Sequence, residues 1–268
     1  MMMKMMMTKM KAMKTMSESL SFKVGIDLTD QPKTVPVLDK GYVRLDDYMG
    51  NDLAVANAAR VSFAKKKETM DQADARLIDF LAREGHMSPF RHAMLKFEFK
   101  APLMVARQHW KYVVGSDHTM DAWNEASRRY ITAHEEFYVP KPEEWRSAPE
   151  NKKQGSGDPV PLDIGSLAMT MLIEDIERQE AHYRWALDSG ICAEQARLFL
   201  PAYALYVNYI WTAGLQSVMH FLNQRLEHDA QKEIQLYARA VHMLAQPLFP
   251  VTFGVFDPYD SIGSRLHN

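Results

Sequence analysis

Residues 94–100 read MLKFEFK, and this short stretch is the most informative about the fold. Apolar and charged side chains alternate along it, so Leu95, Phe97 and Phe99 fall on one face while two lysines and a glutamate fall on the other. Alternation with a period of two is the pattern of a β-strand that buries one face and exposes the other. We therefore predict a half-buried strand at these residues.

Upstream of this strand, the sequence predicts one more strand and two helices. Residues 42–46 form a short strand, and Asn51 caps a helix that runs to about residue 62. A second helix covers residues 71–83, where the apolar residues share one face. Gly85 is placed to end that helix in a left-handed conformation, before the turn HMSPF.

Downstream of the strand, helices dominate. Pro102 opens a helix that is followed by a loop at residues 115–121, and residues 137–139 are a candidate strand. The interval 140–161, rich in proline, glycine, lysine and glutamate, predicts a mobile excursion. Three helical stretches follow, at residues 164–187, 193–213 and 216–245, the last with a candidate break near His228. Early strands and late helices predict the α+β class.

The composition is that of a soluble globular protein, with 268 residues, 47% hydrophobic and 25% charged. A net charge of -2 excludes a global basic field for nucleic acid or anionic lipid, and no run of about eighteen apolar residues could span a membrane. The single cysteine, Cys192, excludes an intrachain disulfide. We predict a cytoplasmic protein without nucleic-acid or membrane partners, with a disordered leader at residues 1–20 and a single domain at residues 21–268.

The sequence lacks the local motifs of several common enzyme classes. It contains no GxGxxG after a strand, no GxxxxGK[ST], no HExxH and no GxSxG. His86 and His92 flank a turn, but their spacing is not that of helix-borne metal ligands, so hydrogen-bonded turn or core histidines are the simpler interpretation. No metal site is predicted.

Residues 106–130, ARQHWKYVVGSDHTMDAWNEASRRY, combine aromatic, amide and cationic side chains in a way that suits a planar, anionic ligand. Phosphate or carboxylate oxygens can be bound by four cations, Arg107, Lys111, Arg128 and Arg129. Donors and acceptors for the polar edge of a base or sugar are supplied by Gln108, Asn124, Glu125 and Ser127. A solvated helix end is the alternative interpretation.

Two later arginines lie in largely apolar surroundings. Arg197 precedes Pro201, which has no N–H to bond the Arg197 carbonyl, so a kink there would help to open a cavity. Arg225 follows an apolar run and needs an anionic or carbonyl partner, because a desolvated charge is costly. The structural alternative to ligand binding is an ion pair with a nearby carboxylate, Glu194, Glu227 or Asp229.

Seven blocks of the chain resemble, in the same order, those of the flavin-dependent thymidylate synthase family. They are LDKGYVRLDDYMGND (38–52), NAARVSF (57–63), GHMSPFRH (85–92), KAPLMVARQ (100–108), NEASRRY (124–130), ARLFLP (196–201) and FLNQRLEHDAQKEIQLYA (221–238). The resemblance implies the fold of the thymidylate synthase-complementing proteins, a small antiparallel sheet packed with several long helices. It also implies a homotetramer, because the family builds each active site from several subunits.

The activity that the resemblance implies is reductive methylation of dUMP to dTMP by a methyltransferase, with methylenetetrahydrofolate as carbon donor and FAD, reduced by NADPH, as hydride source. Arg225 would be catalytic, favouring ionisation of the uracil ring so that C5 becomes a nucleophile. The positions that match dUMP contacts are Gln108, Lys111, Glu125, Ser127, Arg128, Arg129, Arg197 and Arg225. Those that match FAD contacts are Ser62, His86, Ser88, Lys111, Tyr112, Val113, Glu125 and His220.

The chain departs from the family mainly on the flavin side. The Arg-His-Arg signature falls at Lys111, Tyr112 and Val113, the usual asparagines and arginine are absent at Gly214, Gln216 and His220, and Arg91 replaces a common glutamate. These departures keep two alternatives open. One is a related flavin- and folate-dependent enzyme that adds a different one-carbon group to a pyrimidine nucleotide, and the other is a non-catalytic dUMP-binding protein that has lost the flavin.

Overall fold

The computed structural model describes residues 33–115, 121–126, 136–150 and 155–255, with the side chains of residues 113–115 left out. The predicted leader at residues 1–20 lies outside these ranges. The candidate site residues Ser127, Arg128 and Arg129 also lie outside them, as does the side chain of Val113. None of the helices in the described ranges is long and apolar enough to cross a membrane.

The described part of the chain contains a five-stranded antiparallel sheet with the strand order β1-β2-β3-β5-β4. The strands are β1 (Thr34–Val37), β2 (Gly41–Met49), β3 (Met94–Pro102), β4 (Ala122–Glu125) and β5 (Tyr206–Gly214). In the central strand β3, Leu95, Phe97 and Phe99 are fully buried and the residues between them are partly exposed. The half-buried strand predicted from this alternation is confirmed.

Eight α-helices accompany the sheet in the described ranges: α1 (Asp52–Arg60), α2 (Gln72–Arg83), α3 (Leu103–Gly115), α4 (Leu162–Asp188), α5 (Ala193–Ala196), α6 (Leu215–Arg225), α7 (Lys232–Ala245) and α8 (Pro250–Val255). The predicted signals at helix ends are confirmed. Asn51 Oδ1 accepts the backbone N–H of Ala54 at 3.0 Å and so caps α1. Gly85 follows α2 with φ of +70°, the left-handed conformation expected of it.

Aromatic side chains fill the core between the sheet and the helices. Phe99 of β3 and Tyr209 of β5 stack with ring centroids 4.9 Å apart and planes 6° apart. Trp211 of β5 packs edge-on against Phe221 of α6, and His109 of α3 lies 4.5 Å from the Phe221 ring. Removing a buried ring of this size costs about 3–5 kcal/mol. This core therefore fixes where α3 and α6 lie relative to each other.

The helix predicted at residues 193–213 is wrong. Helix α5 ends at Ala196, a 3-10 turn covers Arg197–Phe199, and β5 begins at Tyr206. Pro201 cannot continue a helix, and the β5 sequence YVNYIWTAG is rich in aromatic and β-branched residues. Pairing with β3 along its whole length supplies the hydrogen bonds of this strand. A predicted helix thus becomes the strand next to the centre of the sheet.

The break predicted near His228 is confirmed, since α6 ends at Arg225 and α7 begins at Lys232. The buried side chain of Gln235 holds the intervening loop. Its Nε2 donates to three backbone carbonyls, at 2.7 Å, 3.3 Å and 3.1 Å, those of Glu227, His228 and Ala230. A loop whose carbonyls are satisfied in this way presents its side chains in a defined arrangement.

The segment at residues 136–161, in its described part, folds back on itself and on the rest of the domain. Val160 N–H donates to the Trp145 carbonyl at 2.9 Å, and the candidate strand at residues 137–139 is reduced to a bridge between Phe137 and Leu205. Arg146 joins the segment to α7 by donating to Glu233 at 2.6 Å. The mobility predicted for residues 140–161 stays a prediction.

Candidate functional site

Side chains of helices α3 and α6 bring three of the predicted residues together. The guanidinium carbon Cζ of Arg225 lies 3.8 Å from the centroid of the Tyr112 ring. The Tyr112 hydroxyl donates to Gln224 Oε1 at 3.1 Å, and the His220 ring lies 5.8 Å from the Tyr112 ring, centroid to centroid. A guanidinium over an aromatic ring is attracted by about 0.5–2 kcal/mol. Tyr112 therefore orients Arg225.

Arg225 keeps hydrogen-bonding capacity for a ligand. Its Nε is buried and has no hydrogen-bond partner in the described part of the chain. The ion pair with Glu194, Glu227 or Asp229 that the sequence left open is not among the contacts of the described residues. A buried N–H without a partner costs about 1–3 kcal/mol, so the arrangement is one that an acceptor on a bound molecule would stabilise.

His109 lies one turn before Tyr112 on α3, buried among the aromatic rings beneath the Arg225 contact. Its Nδ1 is 3.1 Å from the Tyr209 hydroxyl. Burial, and secondarily the positive charge of Arg225, lower the pKa of His109 to about 3. His109 is therefore neutral near pH 7 and adds no positive charge close to Arg225.

A chain of polar contacts leads from Gln108 to the segment at residues 136–161. Gln108 Nε2 donates to Gln231 Oε1, Gln231 Nε2 donates to Glu233 Oε2 at 2.8 Å, and Arg146 Nη2 donates to Glu233 Oε1 at 2.6 Å. Glu233 lies in the first turn of α7, where the helix dipole favours a carboxylate. Sequence analysis identified Gln108 and missed the other three. The polar run QKE inside the block 221–238 was the available signal.

Three of the eight residues predicted for FAD line one cavity of about 680 Å³. Ser62, His86 and Ser88 lie along its wall, together with Arg91 and Gln216. Arg91 Nε donates to Gln216 Oε1 at 2.6 Å, which holds the guanidinium in this wall. The cavity presents hydroxyl, imidazole and guanidinium groups, a donor set that fits the phosphates and polar ring edges of a flavin dinucleotide. The residues present therefore fit FAD.

Lys111 and Glu125, predicted for both ligands, lie on α3 and β4, and Lys111 is exposed. Glu125 pairs with Tyr209 across the β4 and β5 ladder, which places it above the aromatic core. Desolvation raises the pKa of the Glu125 carboxyl, against the smaller lowering effects of a hydrogen bond from Trp123 and the charge of Arg107. Among the predicted site residues, Glu125 thus supplies the carboxyl group in the part of the sheet next to α3.

Arg197 lies apart from Arg225 in the described structure. It is exposed, and its Nε donates to the Glu194 carbonyl at 3.2 Å. Its 3-10 turn packs against α4, and none of the contacts of the described residues joins it to Arg225. Within the described part of one copy, the two predicted dUMP arginines therefore make no direct contact.

No three histidine, cysteine, aspartate or glutamate side chains within the described ranges are grouped so that they could hold a metal ion. His86 packs edge-on against the Phe80 ring, with centroids 5.8 Å apart. This contact agrees with its interpretation as a packed turn histidine that also borders the 680 Å³ cavity.

The family model of the thymidylate synthase complementing protein matches residues 44–251. A flavin-dependent thymidylate synthase of Thermus thermophilus is 41% identical over 88% of this chain and 82% of that protein. Another, from Wolbachia pipientis, is 36% identical over 83% of this chain and 76% of that protein.

Solved structures similar to this chain include the UMP/dUMP methylase PolB of Streptomyces cacaoi. The complex with 5-Br UMP has a TM-score of 0.70 and 28% identity, and covers 87% of this chain and 98% of that chain. The complex with 5-Br dUMP has a TM-score of 0.71 and 29% identity, and covers 85% and 98%. Each similarity covers 98% of the solved chain and confirms the α+β fold expected from the sequence.

Proposed function

The chain belongs to the thymidylate synthase complementing protein family, and we propose that it is a methyltransferase that converts dUMP to dTMP. Methylenetetrahydrofolate is the carbon donor, and FAD, reduced by NADPH, is the hydride source. The observation that carries the proposal is the guanidinium of Arg225, held against the Tyr112 ring with a buried Nε that has no partner among the described residues.

Arg225 is the proposed catalytic residue. Methylation at C5 of uracil requires negative charge on the pyrimidine ring. A fixed guanidinium can stabilise that charge through N–H donors aimed at a ring oxygen. The neutral state of His109 leaves Arg225 without a competing cation beneath it. Because the Tyr112 ring holds the guanidinium in advance, little reorganisation is needed when the ring becomes anionic.

The proposed dUMP contacts of the described residues are Gln108, Lys111, Glu125, Arg197 and Arg225, and Ser127, Arg128 and Arg129 complete the set. Lys111 provides a charge for the phosphate, while the Gln108 amide and Glu125 carboxyl offer hydrogen bonds to sugar or base. Together these residues combine cations for the phosphate with polar groups for the sugar and base, as the binding of an anionic nucleotide requires.

For FAD, the proposed contacts are Ser62, His86 and Ser88 in the 680 Å³ cavity, together with Lys111, Tyr112, Val113, Glu125 and His220. When bound, the reduced flavin supplies the hydride that completes the methyl group. The part of the protein is to hold the dinucleotide, through hydroxyl and imidazole hydrogen bonds, and to keep bulk water from the reacting atoms.

A homotetramer is part of the proposal, since Arg197 and Arg225 make no contact within the described part of one copy. Large apolar side chains are exposed on α4 and around Arg197, with 60% exposure at Leu167, 56% at Met171, 58% at Trp185 and 82% at Leu198. Large apolar side chains exposed along one helix are typical of protein interfaces. A neighbouring copy that docks its Arg225 site against this face would receive Arg197 from this chain.

The direct test is a dTMP assay with purified protein, FAD, NADPH, methylenetetrahydrofolate and dUMP, preceded by a dUMP titration of the flavin absorption spectrum. We expect a spectrum that dUMP perturbs, and dTMP as product. Binding of dUMP without flavin would instead support a non-catalytic nucleotide-binding protein, and a product other than dTMP would support a related one-carbon transferase. Light scattering of the same sample tests the tetramer.

A further inference from the structure

The hydrogen bonds of Glu233 impose a direction on the chain of contacts that begins at Gln108. A carboxylate accepts hydrogen bonds and donates none. The two oxygens of Glu233 accept from Arg146 Nη2 at 2.6 Å and from Gln231 Nε2 at 2.8 Å. The amide nitrogen of Gln231 must therefore face Glu233, and its amide oxygen must face away.

The same constraint passes to Gln108. Gln231 Oε1 accepts from Gln108 Nε2, so the amide nitrogen of Gln108 faces Gln231. The two ends of a glutamine amide have nearly the same shape, and hydrogen-bond partners decide which end is presented. Within the part of the chain that the structure describes, the amide oxygen and second N–H of Gln108 have no other partner, so they remain for a ligand.

We propose that Glu233 is a positioning residue for dUMP, which acts through Gln231 to fix the amide orientation of Gln108. The inference rests on the proposed function and deepens it, because Gln108 is the assumed contact with dUMP and Glu233 touches no ligand itself. Glu233 is 4% exposed, so water competes little for its oxygens. The bond from Arg146 compensates the buried charge and ties the segment at residues 136–161 to the same carboxylate.

The first test is Glu233→Gln, which replaces two acceptors by one acceptor and one donor. The N–H donors of Arg146 or of Gln231 then face the N–H group of the new glutamine. If the Gln231 amide rotates to relieve this repulsion, the Gln108 amide must rotate as well. We expect the KM for dUMP to rise about tenfold, the effect of one hydrogen bond, while kcat changes by less than about twofold. Calorimetric dUMP binding should weaken by the same factor.

A second variant, Gln231→Leu, interrupts this series of hydrogen bonds while leaving the ion pair between Arg146 and Glu233 in place. Gln231 is partly exposed, so this change is tolerated even if Glu233→Gln prevents folding. We expect a similar rise in KM, and no further rise in the double variant, since both changes act on the same connection. The control is Gln235→Met, which removes the three carbonyl contacts of the loop and should lower Tm, while any rise in KM should be smaller than that in Gln231→Leu.

The outcomes distinguish a failure of the proposed function from a failure of the proposed role of Glu233. Wild-type protein that does not bind dUMP overturns the proposed function. Wild-type protein that binds dUMP, with Gln231→Leu binding it equally well, overturns the role of Glu233. A KM increase in Gln235→Met as large as that in Gln231→Leu also overturns it, because loop destabilisation alone would then explain the effect.

Discussion

The guanidinium carbon of Arg225 lies 3.8 Å from the centroid of the Tyr112 ring, and the Nε of the same group is buried without a partner in the described ranges. A guanidinium uses its flat face for rings and its edge for hydrogen-bond acceptors. Here the face is occupied by Tyr112, and Nε remains available to a ligand.

Replacing Arg225 by lysine should lower kcat by about 10²–10³, because lysine keeps the charge but loses the planar set of donors. Single-turnover formation of dTMP with prereduced flavin measures the effect on the chemical step. The flavin dissociation constant and Tm should remain at wild-type values. Wild-type turnover in Arg225→Lys would contradict the assignment of Arg225 as the catalytic residue.

Tyr112→Phe and Tyr112→Leu form a matched pair that separates stacking from hydrogen bonding. Phenylalanine keeps the ring beneath Arg225 and loses the bond to the exposed Gln224, so kcat should change by less than about threefold. Leucine removes the ring, and kcat should fall about tenfold as the guanidinium loses its position. The comparison is made by steady-state kinetics at saturating FAD. Equal losses in the two variants would show that the hydroxyl, and not the ring, matters.

Arg91 should contribute to FAD binding through its position in the 680 Å³ cavity. Arg91→Gln should weaken FAD binding by about 10–100-fold, since a charge-assisted bond to phosphate contributes about 1.5–3 kcal/mol, and Arg91→Glu should weaken it further. Fluorescence titration of FAD measures both. The matched control is Arg83→Gln, an exposed arginine of α2 that pairs with Asp79 at 3.6 Å. Unchanged binding in Arg91→Glu would exclude this role.

The lowered pKa of His109 should make the protein less stable in acid. Its pKa is lowered from 6.5 to about 3 in the folded protein, so between these values the unfolded chain binds a proton that the folded chain does not. The free energy of unfolding should therefore fall as pH decreases below 6.5, by up to about 1.4 kcal/mol per pH unit from this residue.

The measurement for His109 is urea unfolding of wild type and His109→Phe at several pH values between 4 and 7, roughly the range over which the folded and unfolded chains differ in protonation. The difference between the two proteins isolates the histidine from other titrating groups. We expect wild type to lose more stability than the variant as pH decreases. Parallel curves would show that His109 is protonated equally in both states.

Patterns of neighbouring residues predicted the parts of the fold that local chemistry controls. The alternation at residues 94–100 predicted β3, and the cap at Asn51 predicted the start of α1, because both depend on side chains a few residues apart. Strand β5 was mistaken for a helix. Its residues 206–214 are apolar enough for either structure, and pairing with β3, distant in the sequence, decides between them.

By itself, the sequence determined which residue types are available for binding an anionic nucleotide and a flavin, since the arginines, amides and hydroxyls stand in recognisable blocks. The tertiary structure alone decided which of them meet. Arg225 stacks on Tyr112, and Gln108 reaches Gln231, because the aromatic core fixes α3 against α6 and the loop before α7. Arg197 makes no contact with them in the described part of one chain. Contacts between distant segments depend on how a whole core packs, and no short stretch of sequence specifies that packing.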